Sequence, residues 1–138
     1  MTEREKYEYW LEYAKADLDT AEFMVKSRRW LYVSYMCQQA IEKLVKGLFG
    51  LYINFDDIPR VHNITRLIND FADKLPQAIN RDTLDFFNLL SDYYLNNRYP
   101  EYIQQLKERM AEGNSREVLI KTKEAFAWLL TLTPSELK

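Results

Sequence analysis

Apolar residues return at every third or fourth position along most of this chain. Between Glu3 and Lys26 they fall at Tyr7, Leu11, Ala14, Leu18, Ala21 and Val25, steps of four and three that draw one face of a helix. Ser27-Arg28-Arg29 is a tight polar break. From Trp30 to Tyr52 a second stripe runs through Cys37, Ile41, Leu44, Leu48 and Leu51. Two long stripes joined by so short a break predict an antiparallel helical hairpin. The stretch from Ile53 to Pro59 reads as loop. A short third helix is expected from about Asn63 to Lys74, with Ile64, Leu67, Ile68 and Phe71 inward and Pro76 closing it.

Asn80 or Asp82 is placed to cap a fourth helix reaching about Asn96, carrying Phe86, Phe87, Tyr93 and Tyr94. Arg98-Tyr99-Pro100 should end it, because the residue before a proline is biased out of helical geometry. The segment from Glu101 to Met110 is expected to add a turn or two. Gly113 breaks it, and Asn114-Ser115-Arg116-Glu117 has capping-box spacing for a last helix. That helix shows Val118, Thr122, Ala125, Leu129 and Leu132 on one side. Nothing reads as a strand. The expected fold is all-α, an up-and-down bundle of four to five helices forming one domain over residues 1–138.

Composition narrows the function more than the fold. A chain of 138 residues buries roughly two-thirds of its unfolded surface, enough for a core without staples. Ten Tyr, seven Phe and three Trp exceed what a small bundle's interior must hold, and aromatics are enriched at interfaces, so a homodimer is expected. A net charge of −2 argues against sequence-independent grip on a long nucleic-acid backbone, though a local basic pocket stays open. Cys37 is the only cysteine and His62 the only histidine. That excludes an internal disulfide, a cysteine-rich zinc site and a di-histidine metal motif; Asp56 and Asp57 are too few to make a metal site with His62. No metal and no cofactor are expected. Met1 to Lys6 has no apolar signal core and no run approaches membrane-spanning length, which predicts a cytoplasmic protein with no membrane partner.

Three places could carry chemistry. Gln39, Lys43 and Lys46 stand at i, i+4 and i+7, so one side of the second helix offers an amide and two ammonium groups to a phosphate or carboxylate. The same spacing also fits a solvated flank in which Glu42 and Lys46 pair at i,i+4. His62-Asn63 opens the third helix, where a histidine can polarise an anionic ligand or simply cap and pack. In Asn97-Arg98-Tyr99-Pro100, Arg98 can bind phosphate bidentately or complement a helix end. No Gly-rich phosphate loop exists, and Cys37 lies within the apolar stripe, where it is inert.

Taken in order, these residues resemble the HEPN family. Tyr9-Trp10-Leu11 with Ala14 and Asp17-Leu18 is similar to its first helix. Gln38-Gln39-Ala40 with Glu42-Lys43 and Lys46 resembles the second, His62-Asn63-Ile64 with Leu67 the third, and Arg98-Tyr99-Pro100 the segment after the fourth. The resemblance spans about residues 5–130. It implies a four- or five-helix bundle, usually a homodimer, frequently partnered with a minimal nucleotidyltransferase. It also implies one of two activities: nucleotide-binding or nucleotidyltransferase-associated modules, and metal-independent RNases that use an Arg and a following His with four to six residues between them. This chain departs from the second pattern, since Asp57, Asp56 and Phe55 stand at those distances before His62, Arg60 is too close, and no histidine follows Arg98.

The reading is therefore a binding module for a nucleotide, another phosphorylated ligand or a nucleotidyltransferase partner, with Gln39, Lys43, Lys46, His62 and Arg98 near the site and no catalytic residue assigned. The alternatives are an RNase toxin of a toxin–antitoxin pair, using Arg98 with His62 or a tyrosine, and a plain interaction or scaffold domain.

Overall fold

A computed structural model describes residues 1–96 and 98–137. Its α-helices are α1 (Glu3–Lys26), α2 (Trp30–Tyr52), α3 (Ile64–Asn69), α4 (Arg81–Ser91), α5 (Pro100–Arg109) and α6 (Glu112–Thr131), with short 3-10 turns at Phe55–Asp57, Ala72–Lys74 and Ser135–Leu137. Among the described residues there is no strand, and no helix is long and apolar enough to cross a membrane.

The first two helices form the expected hairpin. Thr2 caps α1 through a reciprocal box with Glu5: its hydroxyl accepts from the Glu5 amide and the Glu5 carboxylate accepts from the Thr2 amide, satisfying two otherwise orphaned donors. At the other end Arg28 takes a left-handed conformation, φ 59°, while the Arg29 amide donates to Met24 O and the Arg28 amide to Val25 O. This is a Schellman turn with arginine where glycine is usual. Tyr7, Ala14 and Ala21 are buried on the α2 side of α1, and the two alanines let the backbones approach. Gly47 serves the same end, since a Cβ there would stand 3.0 Å from Trp10 Cβ.

Helix α2 is the hub. Packed by α1, α6, α3, α4 and α5, it buries every residue from Ala40 to Gly50 except Lys43. Its apolar side joins Ile64, Leu67, Ile68, Phe71, Phe87, Leu90, Leu106, Phe126 and Leu129 in one contiguous core. A helix enclosed this completely must find partners for any polar side chain it carries, because an unpaired buried polar group costs several kcal/mol, roughly 2–7.

Beyond the hairpin, the elements differ from the sequence reading in three places. Helix α4 ends at Ser91 rather than about Asn96: the Ser91 hydroxyl donates to Phe87 O and accepts from the Ile64 amide, and the chain then turns so that Tyr93 and Leu95 enter the core. Pro100 does not stop that helix but starts α5 as its first-turn proline, where the missing N–H is no loss, and the expected turn or two is a ten-residue helix. The break before α6 lies at Met110 and Ala111, with Gly113 inside the first turn. The capping box at Asn114-Ser115 does not form, because Ser115 is wholly buried and its hydroxyl donates to Trp30 O.

Candidate functional site

Three polar residues follow one another every fourth position on α2: Gln38, Glu42 and Lys46, respectively 0%, 5% and 8% exposed. They are the enclosed helix's polar stripe, and Glu42 is their centre. Lys46 Nζ donates to Glu42 Oε2 at 3.1 Å, and Gln38 Nε2 donates to Glu42 Oε1 at 2.8 Å and to His62 O at 3.2 Å. His62 completes the set, its Nδ1 lying 3.1 and 3.3 Å from the two carboxylate oxygens. A carboxylate offers only lone pairs, so Nδ1 carries the hydrogen. In the neutral ring Nε2 then holds the lone pair. The imidazole is 41% exposed while the Glu42 side chain is 7% exposed, so a buried acid holds a histidine at the surface.

The loop that delivers His62 is fixed on both sides. Asn63 caps α3 by accepting from the Arg66 amide, and the Ile64 amide is taken by Ser91. The cap belongs to Asn63, and His62 packs: its ring lies on Tyr94, centroids 3.7 Å apart and planes 11° from parallel. Tyr94 also anchors Arg98, whose Nε donates to Tyr94 O at 2.9 Å while the guanidinium sits 4.9 Å from the Tyr102 ring centre. Among the described residues the terminal nitrogens of Arg98 have no hydrogen-bond partner. Tyr35 borders the same corner, 6.2 Å from Tyr94 ring to ring. Burial first, then the nearby Tyr94, Glu42 and Asp17, pushes its hydroxyl above the usual tyrosine range.

The five residues singled out by the sequence thus occupy different layers. His62 and Arg98, 36 positions apart, meet through Tyr94. Gln39 is half-buried and donates to Gln38 Oε1 at 2.7 Å. Lys43 pairs with Asp17 of α1 and lies 6.0 Å from the Tyr13 ring centre. The i,i+4 pair of Glu42 with Lys46 forms as the spacing allowed, but it is buried rather than on a solvated flank, and Lys46 holds the carboxylate that holds His62. Asn97, grouped with Arg98 by the sequence, lies outside the described residues.

Sequence reasoning missed Gln38, Glu42 and Tyr94 as a working unit. The signal was present in the four-residue spacing of Gln38, Glu42 and Lys46 inside a segment apolar on its other sides, where polar residues must be mutually paired. Tyr94 had no such signal, because its role depends on the chain turning after Ser91. Among the described residues no cluster of three or more His, Cys, Asp or Glu could hold a metal ion.

The structure is thus an all-α bundle whose central helix carries one polar stripe that reaches the surface at a histidine. The family model described as the HEPN domain matches residues 7–131, and the chain belongs to that family. The crystal structure of TT1696 from Thermus thermophilus is similar, with a TM-score of 0.74 and 21% identity over 91% of this chain and 97% of that one, a likeness of fold. A comparison with curated proteins finds no match.

Proposed function

We propose that this HEPN domain is a binding module for a nucleotide or another phosphorylated ligand, seated where His62, Tyr94 and Arg98 meet. One observation carries the reading: an imidazole and a guanidinium, whose outer nitrogens have no partner among the described residues, are both anchored to one tyrosine. A phosphate takes two donors from the Arg98 guanidinium. Nε2 of His62 accepts from a hydroxyl or amine of the ligand, or donates to an anion when the ring is protonated. Exposed Tyr99 and half-buried Tyr35 and Tyr102 supply faces on which a base can stack. Gln39, bonded to Gln38, and Lys43, balanced by Asp17, are assigned supporting places, and Lys46 acts from beneath through Glu42. The protein is read as a cytoplasmic homodimer that works beside a minimal nucleotidyltransferase. Titration calorimetry with ATP, AMP and inorganic phosphate tests it; absence of binding to all three at millimolar concentration overturns it.

A second reading draws on the Glu42–His62 pair. A carboxylate that fixes Nδ1–H leaves Nε2 as a proton acceptor, which is the arrangement of a general base with its orienting acid. Together with Arg98 as electrostatic stabiliser this would suit metal-independent RNA cleavage. It ranks second because the Arg and His are not on one helical face, as the family's RNase pattern has them. Incubation with total RNA separates the two readings.

A further inference from the structure

A trough runs between α4 and α6, lined by residues that take no part in the His62 corner. It has two adjacent hollows, of about 660 and 240 Å³, which share the lining residues Phe86, Leu89 and Lys121. Along α6 it extends from Asn114 to Trp128, ~21 Å at 1.5 Å per residue. Its apolar lining comes from Phe86 and Leu89 on one wall and Ala125 and Trp128 on the other, and Leu89 is 43% exposed. So α6 carries two apolar faces, one in the core and one in this trough.

The charges of the walls are unbalanced. Lys121 is engaged by Glu117, and Asp85 by Arg81, while Arg109, with no ion-pair partner among the described residues, lines the smaller hollow. Asp82 on α4 and Glu124 on α6 have no ion-pair or hydrogen-bond partner among the described residues, and both line the larger hollow. An apolar floor thus lies between two walls, each carrying one unbalanced carboxylate.

We infer that the trough is a docking surface for an amphipathic helix of a partner protein, about four turns long, with an apolar face and lysine or arginine on both flanks. Its elongated, two-lobed form suits a helix laid between two helices, in the manner of helix-in-groove recognition, better than a compact ligand. In the larger hollow the charge fixes the partner's sign: a basic flank on each side meets Asp82 and Glu124, where an acidic helix would be repelled. The end over the smaller hollow faces a cation, Arg109.

The test uses the full chain and two labelled fourteen-residue helical peptides, one of leucine and lysine and one with glutamate in place of lysine, followed by fluorescence anisotropy. The basic peptide should bind and the acidic one should not. Asp82→Lys with Glu124→Lys should weaken the basic peptide by about tenfold and let the acidic one bind. Glu8→Lys with Asp19→Lys makes the same change of net charge on α1 and should leave affinity unaltered. Leu89→Asp, at an exposed position that spares the core, should abolish binding. Equal weakening by the two charge reversals would reduce the effect to general attraction and overturn the inference, as would failure of the basic peptide to bind. Light scattering that gives a wild-type dimer split by Leu89→Asp would assign the trough to a second copy of this chain instead. None of these outcomes involves the His62 corner, so nucleotide binding can stand or fall separately.

Discussion

Glu42 and His62 lie twenty residues apart in the chain and 3.1 Å apart in the fold, carboxylate oxygen to Nδ1. The acid is buried and the imidazole reaches solvent, so the pair ties the core to the surface. Lys46 makes this arrangement possible, because a carboxylate in so enclosed a place needs a compensating charge.

The first prediction concerns that charge balance. Glu42→Gln leaves the Lys46 ammonium buried beside a neutral amide. Removing one partner of a buried ion pair costs about 3–5 kcal/mol, and with both side chains at or below 10% exposure solvent offers little relief. Urea denaturation should show the midpoint falling with no change in slope. The same variant should also disturb the nitrogen shifts of His62, because Nδ1–H loses its anionic acceptor. A loss below about 1 kcal/mol, the range of exposed pairs, would mean that the stripe is solvated.

A second expectation separates the residues that would touch ligand from those that support it. His62→Ala and Arg98→Ala should each weaken ATP binding roughly tenfold to a hundredfold, the range for losing a charge-assisted hydrogen bond of about 1.5–3 kcal/mol. Lys43→Ala should act less, because Asp17 already neutralises it. Lys46→Ala should chiefly lower stability. Unchanged affinity in the Arg98→Ala and His62→Ala variants, measured by calorimetry, would remove the site from this corner.

The contrast between Lys43 and Lys46 shows how far the sequence was legible. Periodicity locates α1 and α2 well, because an apolar residue recurs at every third or fourth position along most of each helix. It failed where a residue's role depended on a neighbour distant in the chain. Pro100 is a stop or a start depending on what precedes it, and Ser115 is a cap or a core contact depending on Trp30. Lys46 likewise looks like a flank residue until α3 and its preceding loop cover that side of α2. The ordered motif led to His62 and Arg98, but nothing local indicated that Tyr94 would join them.

Cys37 should be inert in the folded protein. It is completely buried, and burial pushes its thiol up to about 12, so the reactive thiolate is scarce at neutral pH. An aromatic disulfide reagent at pH 8 should leave the native thiol unmodified and should modify one thiol per chain in denaturant. Stoichiometric reaction within minutes under native conditions would show that the α2–α6 contact opens readily.

Alkaline pH should destabilise the bundle through Tyr7. Burial raises the hydroxyl above the usual tyrosine range, opposed by its hydrogen bond to Thr133, which measures 2.9 Å. A group with a raised folded pKa contributes stability that is present in full below its unfolded value, about 10, and lost as pH rises through the folded one. Tyr7→Phe should therefore cost about 0.5–1.5 kcal/mol at pH 7, the net worth of the hydrogen bond, yet flatten the decline above pH 10. Parallel declines in wild type and variant would assign the alkaline limb to Tyr35, Tyr52 and Tyr93, whose hydroxyls burial also raises.

The final prediction is that the protein alone leaves RNA intact. Metal-free cleavage needs a base to take the 2′-hydroxyl proton, an acid for the leaving oxygen and a cation for the developing charge. His62 and Arg98 fill at most two of these places, and no second histidine exists in the chain. Positioned acid–base groups are each worth roughly a hundredfold to ten-thousandfold, so the missing one leaves a rate far below that of a nuclease. Total RNA incubated with micromolar protein and chelator should keep its length distribution over hours. Degradation that persists through purification and disappears in both His62→Ala and Arg98→Ala would reverse the ranking, making the Glu42-held imidazole a general base rather than a ligand contact. Degradation unaffected by either substitution would instead identify a contaminating nuclease, and the binding reading would stand.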